Sequence, residues 1–542
     1  MLIFRTLSMK KISILICAVF STLLLDSCYP DDFLKDELLS DTSVEFLYNS
    51  EEGISNAVVG LYSINREPYE RDWFNGAIPL ILTAKSDLAA GIDGEISLFS
   101  NCFWGCSAGD YGSEAAFGYF WAHHYRIIDI SNSIIQGANN LISQGVTSDG
   151  LNHNLAEAYV FRAHSYFTLY RLFRNIYIKT EPTSPETAFD RPESPSSQDQ
   201  IFELIRSDLN FASENLEYSS QANGRWNKGA VDHIRAKVEM WEGSYASAAA
   251  IIDDIINNSP HQLVTIDQVF SGELDHTETL FSVQFERQTI GGGSWQQMNW
   301  QTVSHYSAVP GLKQSIENGG DGFGFLTLNP YVIDLLNEYS TDKRKNHYYI
   351  FEYKYNDERT LPAGKSIGDP LDLYKRVAAN DEFFLFYKRQ NPGVIKFLDT
   401  NVEPTDRMHS KNVMVYRLAE TLLIGAEAHL ELGNTTKALQ YFNLVRTRAG
   451  IPPLTELSID LIFEERAREL AFEGQRWYSL KRKGLLYQYL MDHMNDDLLN
   501  SYYERNHVNP KNVLTPGMIH LPIPQSQLDL LGTNYPQNEA YN

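Results

Sequence analysis

The chain has 542 residues, enough for a large core or several domains, and 69 acidic against 45 basic side chains give it a formal net charge of −24. That balance argues against nucleic acid as a partner, because binding to phosphates needs a basic footprint. Aromatic residues are abundant at 12%, with 31 Tyr, 28 Phe and 8 Trp, and they supply rigid, flat, half-polar contact surface.

The N-terminus reads as an export signal over residues 1–27. Lys10 and Lys11 precede a weakly polar to apolar run from Ile12 to Leu25 that is too short to span a bilayer, and Met9 is the natural start. The run ends in Leu25-Asp26-Ser27-Cys28, similar to a bacterial lipobox, in which Cys28 becomes the lipidated first residue of the mature chain. Acyl chains add about 0.8 kcal/mol per buried methylene, so multiple acylation anchors a soluble domain stably. No later stretch is long and apolar enough to cross a membrane. Cys17 leaves with the signal, and Cys102 and Cys106 then face an oxidising compartment. A disulfide between them and two free thiols are both open, because this spacing bridges only in a loop geometry.

Helical periodicity dominates the rest. Phe120 to Leu141 and Leu155 to Phe173 carry apolar residues at three- and four-residue steps. A loop rich in Pro, Ser and Thr follows from Thr180 to Ser197, and Ser197-x-x-Gln200 reads as a capping box that opens a helix. Ala230–Trp241, a turn at Gly243-Ser244 and Tyr245–Ile256 read as a helix pair. The same grammar returns in Tyr416–Ala449, with its turn at Gly433-Asn434, and it is the tetratricopeptide pattern. Such pairs cannot bury their apolar faces alone and stack into a superhelix.

From Pro260 to Ser410 the periodicity weakens. Strand-like pieces such as Thr279–Phe285 and Phe383–Tyr387 alternate with turn signals, among them Ile290 to Ser294 and Gly319-Gly320-Asp321-Gly322. The expected fold is mainly α: tetratricopeptide-like helix pairs forming a superhelical scaffold, with an irregular loop-rich insertion containing a few short strands. The expected parts are a helical part over 28–259, an irregular ligand-binding half over 260–410 and a C-terminal helical part over 411–542.

Several residues invite a chemical reading. Glu465, Glu469 and Glu473, interleaved with Arg466, Arg468 and Arg476, share a helical face and read as a charge network fixing helix packing. Gly105-Cys106-Ser107-Ala108-Gly109 matches G-x-S-x-G, but loop-like sequence on both sides denies Ser107 the strand and helix of a nucleophile elbow. His123 and His124 are adjacent and diverge on a helix, and no H-E-x-x-H occurs. No catalytic residue, metal or cofactor is expected. Aromatics on loops are the better ligand contacts: Trp73, Trp104, Trp295, Trp300 and Tyr306, with Arg71, Asn75 and Asp87 as hydroxyl partners. Trp121, Trp226, Trp241 and Trp477 lie on or beside helices and are assigned to the core.

Val415 to Ala428, Phe442 to Gly450 and Glu465 to Trp477 resemble the signature of the SusD/RagB family. Tyr478 to Arg482 continues it, with Ser479 where the family more often has Asp. Leu521-Pro522-Ile523-Pro524 and Pro536-Gln537-Asn538 close the pattern, and Ala156 to Ala163 is similar to an earlier family helix. The resemblance implies an outer-membrane lipoprotein facing the cell exterior, which holds an oligosaccharide for a SusC-like TonB-dependent transporter without transforming it. Stacking aromatics from an early loop and from the irregular middle are implied, which fits Trp104 and the stretch from Trp295 to Tyr306. A peptide ligand, as in the RagB branch, a lid without affinity of its own, and a surface hydrolase are the other readings.

Overall fold

The computed structural model describes residues 47–70, 77–91, 117–219, 222–272, 274–287, 296–371, 389–494, 514–532 and 534–541. Cys28, Arg71, Trp73, Asn75, Cys102, Trp104, Cys106, Ser107, Trp295 and the segment Phe383–Tyr387 lie outside the described residues. The fold is mainly α, and local sequence sets where the long helices begin. Helix α1 (Glu51–Arg66) starts at Ser50, whose hydroxyl accepts from the Gly53 amide at 3.0 Å, and Glu51 and Glu52 face the positive end of its dipole. Helices α2 (Tyr119–Ser143) and α3 (Asp149–Phe173) form a long pair, with Ser148 capping α3 through the Leu151 amide. The expected capping box of Ser197 and Gln200 opens α4 (Gln198–Asn215).

The two repeat-like blocks also form as expected. Helices α5 (Lys228–Trp241) and α6 (Tyr245–Asn258) turn at Gly243, and α7 (Leu418–Glu431) and α8 (Thr435–Ala449) turn at Gly433. Both glycines have φ near +75°, which a Cβ disfavours. Each helix from α2 to α6 packs on the next in order. Helix α6 then packs directly on α7, with Ile252 and Ile255 in one apolar cluster with Leu422, Tyr441 and Phe442. Residues 259–417 therefore leave the superhelical stack and return to the place they left. This is the geometry of an insertion.

Its base is closed by two antiparallel strands, Thr279–Val283 and Val413–Arg417, in the register Thr279 to Arg417 and Val283 to Val413. Trp226, just ahead of α5, stacks on Phe281 with ring centroids 3.7 Å apart. Trp121, Trp226 and Trp477 are buried, and Trp241 packs partly buried against the same core.

The glutamate–arginine cluster is buried and tertiary. Helix α9 (Ile459–Leu470) ends before Glu473. Phe472 (φ +69°) and Gly474 (φ +75°) turn the chain there, and Arg476 begins helix α10 (Arg476–Lys483). The expectation of three glutamates on one helical face is corrected to two, Glu465 and Glu469. Arg344, from the insertion, reaches Glu465 at 2.7 Å and Glu469 at 3.0 Å. Arg417 reaches Glu469 and Glu473, each at 2.7 Å, and Lys396 reaches Glu473 at 2.7 Å. Burial pushes the Glu469 carboxyl up, but Arg448, Arg417 and Arg344 outweigh it and hold it well below the carboxylate range.

Asp87 is likewise structural rather than a hydroxyl partner. It is fully buried and accepts from Arg476 Nε at 2.8 Å, Arg476 Nη2 at 2.7 Å and His493 Nδ1 at 2.8 Å. Among the described residues no helix is long and apolar enough to cross a membrane.

Candidate ligand-binding site

Strand pairing ties the insertion to a segment near the start of the described chain. Ala89–Gly91 runs antiparallel to Leu326–Leu328, so Gly91, where the segment bearing Trp104 begins, is paired with Leu326 beside Phe325. Gln296, the residue after Trp295, exchanges backbone hydrogen bonds with His409 at 2.9 and 3.0 Å. The short helix Met298–Thr302 follows and carries Trp300.

Trp300 is a pedestal and not an open stacking face. It is 6% exposed, and its ring packs edge-on against Phe325 at 5.1 Å and tilted against Phe323 at 5.3 Å. The Phe323 amide donates to the Trp300 carbonyl at 2.8 Å. Gly322 makes this approach possible, since a Cβ there would lie 2.5 Å from the Ser304 carbonyl and 2.6 Å from that of Val303. Phe323 in turn stacks on His305 at 5.1 Å, and both are half-buried. The Arg407 guanidinium lies over the Trp300 ring at 4.9 Å. Its Nε donates to Asp321 at 2.9 Å, and Gln314 donates to the other oxygen of Asp321.

Tyr306 lies deeper still. It is fully buried, stacked on Tyr353 at 4.8 Å, and its hydroxyl donates to the Gly320 carbonyl while accepting from the Ser315 amide. The expectation that Trp300 and Tyr306 present their rings to a ligand meets this burial: both rings pack against the turn that carries Phe323. Sequence reading missed Phe323, His305 and Arg407; the alternating Gly-Phe-Gly-Phe of Gly322 to Phe325 was the available signal.

The chain on either side of Arg407 also borders an open cleft of about 620 Å³. Residues 398–402 and 410–412 line the cleft, and Arg407, between them in the chain, covers Trp300. The cleft wall is rich in amides and acids that hold one another. Asn223 and Gln284 donate to Asp275, Asn412 donates to Gln284, and the Asn401 and Ser410 amides donate to Asp399. Arg287 pairs with Asp406 at 2.6 Å. Burial pushes the Asp406 carboxyl up, but the Met408 amide and Arg287 outweigh it and keep it below its ordinary value. Burial brings the Lys411 amine down to about 8, and it donates to the carbonyls of Phe270 and Leu398.

The shelf helix also buries polar atoms that folding leaves unused. Asn299 Oδ1, Trp300 Nε1 and both amide atoms of Gln301 have no hydrogen-bond partner among the described residues. Buried polar atoms are paired in the great majority of folded proteins, so these four are exceptions to that rule.

Two family models match the chain, one described as the SusD family over residues 277–541 and one described as starch-binding associating with outer membrane over residues 32–240. The chain belongs to the SusD family. A SusD-like protein of Formosa agariphila is 27% identical over 96% of this chain and 97% of its own length. Among solved structures, a SusD homolog from Bacteroides thetaiotaomicron superposes with a TM-score of 0.71 at 20% identity, covering 92% of this chain and 99% of its own. A laminarin-binding SusD-like protein superposes with a TM-score of 0.67 at 22% identity, covering 91% of this chain and all of its own.

Seen in the SusD family, the signature residues build the scaffold and not the shelf. Val415 to Ala428 supplies the closing strand and α7, and Glu465 to Trp477 supplies the buried ion network and the start of α10. A SusD-type helical frame therefore fixes where the insertion is anchored, while the insertion's own turns set the shelf. His123 and His124 are both buried in α2, and no group of side chains suited to a metal ion occurs among the described residues.

Proposed function

We propose that this protein is a non-catalytic, lipid-anchored outer-membrane receptor that captures an oligosaccharide at the Phe323–His305 shelf and the open cleft. It then passes the ligand to a SusC-like TonB-dependent transporter. The observation that carries this reading is a half-buried aromatic pair and an amide-rich cleft connected through the loop that bears Arg407. Flat aromatic faces pack on the apolar faces of sugar rings, and fixed amides and acids bond the hydroxyls. Trp73, Trp104 and Trp295 are proposed to complete the stacking surface, and Cys28 to carry the anchor. The family model described as associating with outer membrane and the laminarin-binding relative support the same class of ligand and location.

Absence of catalysis fits the acids in view. Glycoside hydrolysis needs two opposed carboxyl groups, one of them kept protonated by a raised pKa. Asp275, Asp321, Asp399 and Asp406 each accept from fixed neighbours, and Asp406 is held below its ordinary value.

Calorimetric titration of the purified protein against oligosaccharides and peptides tests the reading. Saccharide binding that disappears in Trp104→Ala or Trp295→Ala, with unchanged helical content and no turnover of the ligand, supports it. Binding of peptides alone, or cleavage of the saccharide, overturns it. Cys28→Ala should move the protein from the membrane to the soluble fraction.

A further inference from the structure

We infer that the saccharide taken at this shelf is anionic, bearing carboxylate or sulfate groups, and that Arg407 selects it. The inference rests on the glycan reading above and adds the class of glycan. Arg407 is held by one edge only. Its Nε is committed to Asp321, its plane rests on Trp300 at 4.9 Å, and its side chain is still 59% exposed. The two terminal nitrogens make no hydrogen bond among the described residues, and with the side chain this exposed they form a fork open to a ligand above Trp300. A planar fork fixed by a ring below and an acid at its side is the geometry that takes a carboxylate or sulfate with two parallel hydrogen bonds.

Asp321 offsets part of the charge, but it is itself shared with Gln314 and lies behind the fork at Nε. Arg287, which follows the strand Thr279–Val283, is tethered to the same loop. One of its nitrogens is bound to Asp406, the chain neighbour of Arg407, and its side chain is 50% exposed where it lines the cleft. Two guanidinium groups are thus held at neighbouring positions of one loop, Arg407 itself and Arg287 through Asp406. A neutral hydroxyl offers a guanidinium no opposite charge and no paired acceptors, whereas a carboxylate or sulfate takes both nitrogens in two charge-assisted bonds. The overall charge of −24 does not forbid an acid ligand, because exposed charges beyond about 8 Å are largely screened at physiological salt.

The test is calorimetry on the purified protein with three probes of matched length: an oligogalacturonate, a sulfated galacto-oligosaccharide and a neutral laminari-oligosaccharide. The expected result is a preference of about tenfold or more for one acidic probe at low salt, since a hydrogen bond to a charged group exceeds a neutral one by that order. The preference should shrink as salt rises, survive in part in Arg407→Lys and vanish in Arg407→Gln, whose affinity should fall at least about tenfold more for the acidic probe than for the neutral one. The two acidic probes separate carboxylate from sulfate recognition. Neutral and acidic probes binding equally, or a preference untouched by Arg407→Gln, overturns the inference and leaves the glycan reading standing. No saccharide binding of any kind overturns both.

Discussion

Arg417 donates to Glu469 at 2.7 Å and to Glu473 at 2.7 Å, joining the strand that closes the insertion to the turn that follows α9. Arg344 meets the same Glu469 from inside the insertion at 3.0 Å. The loop-rich half that bears the shelf is thereby fastened to the helical frame by charges sealed from water, where their attraction is little screened.

Replacing Arg417 with Met should cost about 3–5 kcal/mol, because it leaves Glu469 and Glu473 buried with fewer cationic partners. Urea unfolding followed by circular dichroism gives the figure. A loss under about 1 kcal/mol would show the network to be dispensable.

Acid should destabilise the protein in two overlapping stages. Burial holds the His164 imidazole down at about 3 and that of His520 at about 2, so both fold as neutral rings. Their contribution is complete above about pH 6.5 and is lost as pH falls below it, at about 1.4 kcal/mol per pH unit for each ring. Glu469 and Asp87 are held below their ordinary range by arginines, against the effect of burial, and add a further loss below about pH 4.5. The melting temperature should therefore begin to fall just under pH 6.5. A flat profile down to pH 4 would contradict the burial of these rings.

Alkali should act in the opposite sense at first. Burial lowers Lys396, Lys237 and Lys411 to about 8, so between about pH 8 and 10 the unfolded chain binds more protons than the folded one. Stability then rises with pH across that window. Unfolding midpoints in urea at pH 7.5 and pH 9.5 test the sign, to be read after the same comparison in Lys396→Met.

Phe323→Ala should weaken saccharide binding by about three- to tenfold while the fold holds, since the ring is half-buried and its stacking is worth about 0.5–1.5 kcal/mol. Tyr306→Phe should do the reverse. It removes the hydroxyl that the Gly320 carbonyl and Ser315 amide share, costing about 1–3 kcal/mol of stability with the affinity of the folded protein little changed. Paired calorimetry and thermal melts on the two variants distinguish them.

Much of the frame was legible because its signals are local. Ser197 and Gln200 lie three residues apart and cap α4 whatever surrounds them, and Gly243 and Gly433 turn the chain by their own backbone freedom. The site was not legible in the same way. Trp300 and Tyr306 lie among Gly, Ser and Asn with no helical period, which reads as exposed loop. They are buried because Gly322 lets the later turn press onto the Met298–Thr302 helix, and because Arg407 covers the ring from far along the chain. Glu473 left the expected helical face for a comparable reason: a positive φ at Phe472 turns the chain, and Arg417 and Lys396 hold the carboxylate where it lands.

What the sequence determined by itself was the helical repeat grammar, the caps and turns, the irregular character of residues 260–410 and the family, since period, propensity and motif order are carried by neighbours a few residues apart. What only the tertiary structure decided was which aromatic rings are buried and which charges are buried partners. Asp87 and Arg476 are 389 residues apart and meet at 2.7 Å, and no local pattern encodes a contact whose energy exists only once both groups have left water together.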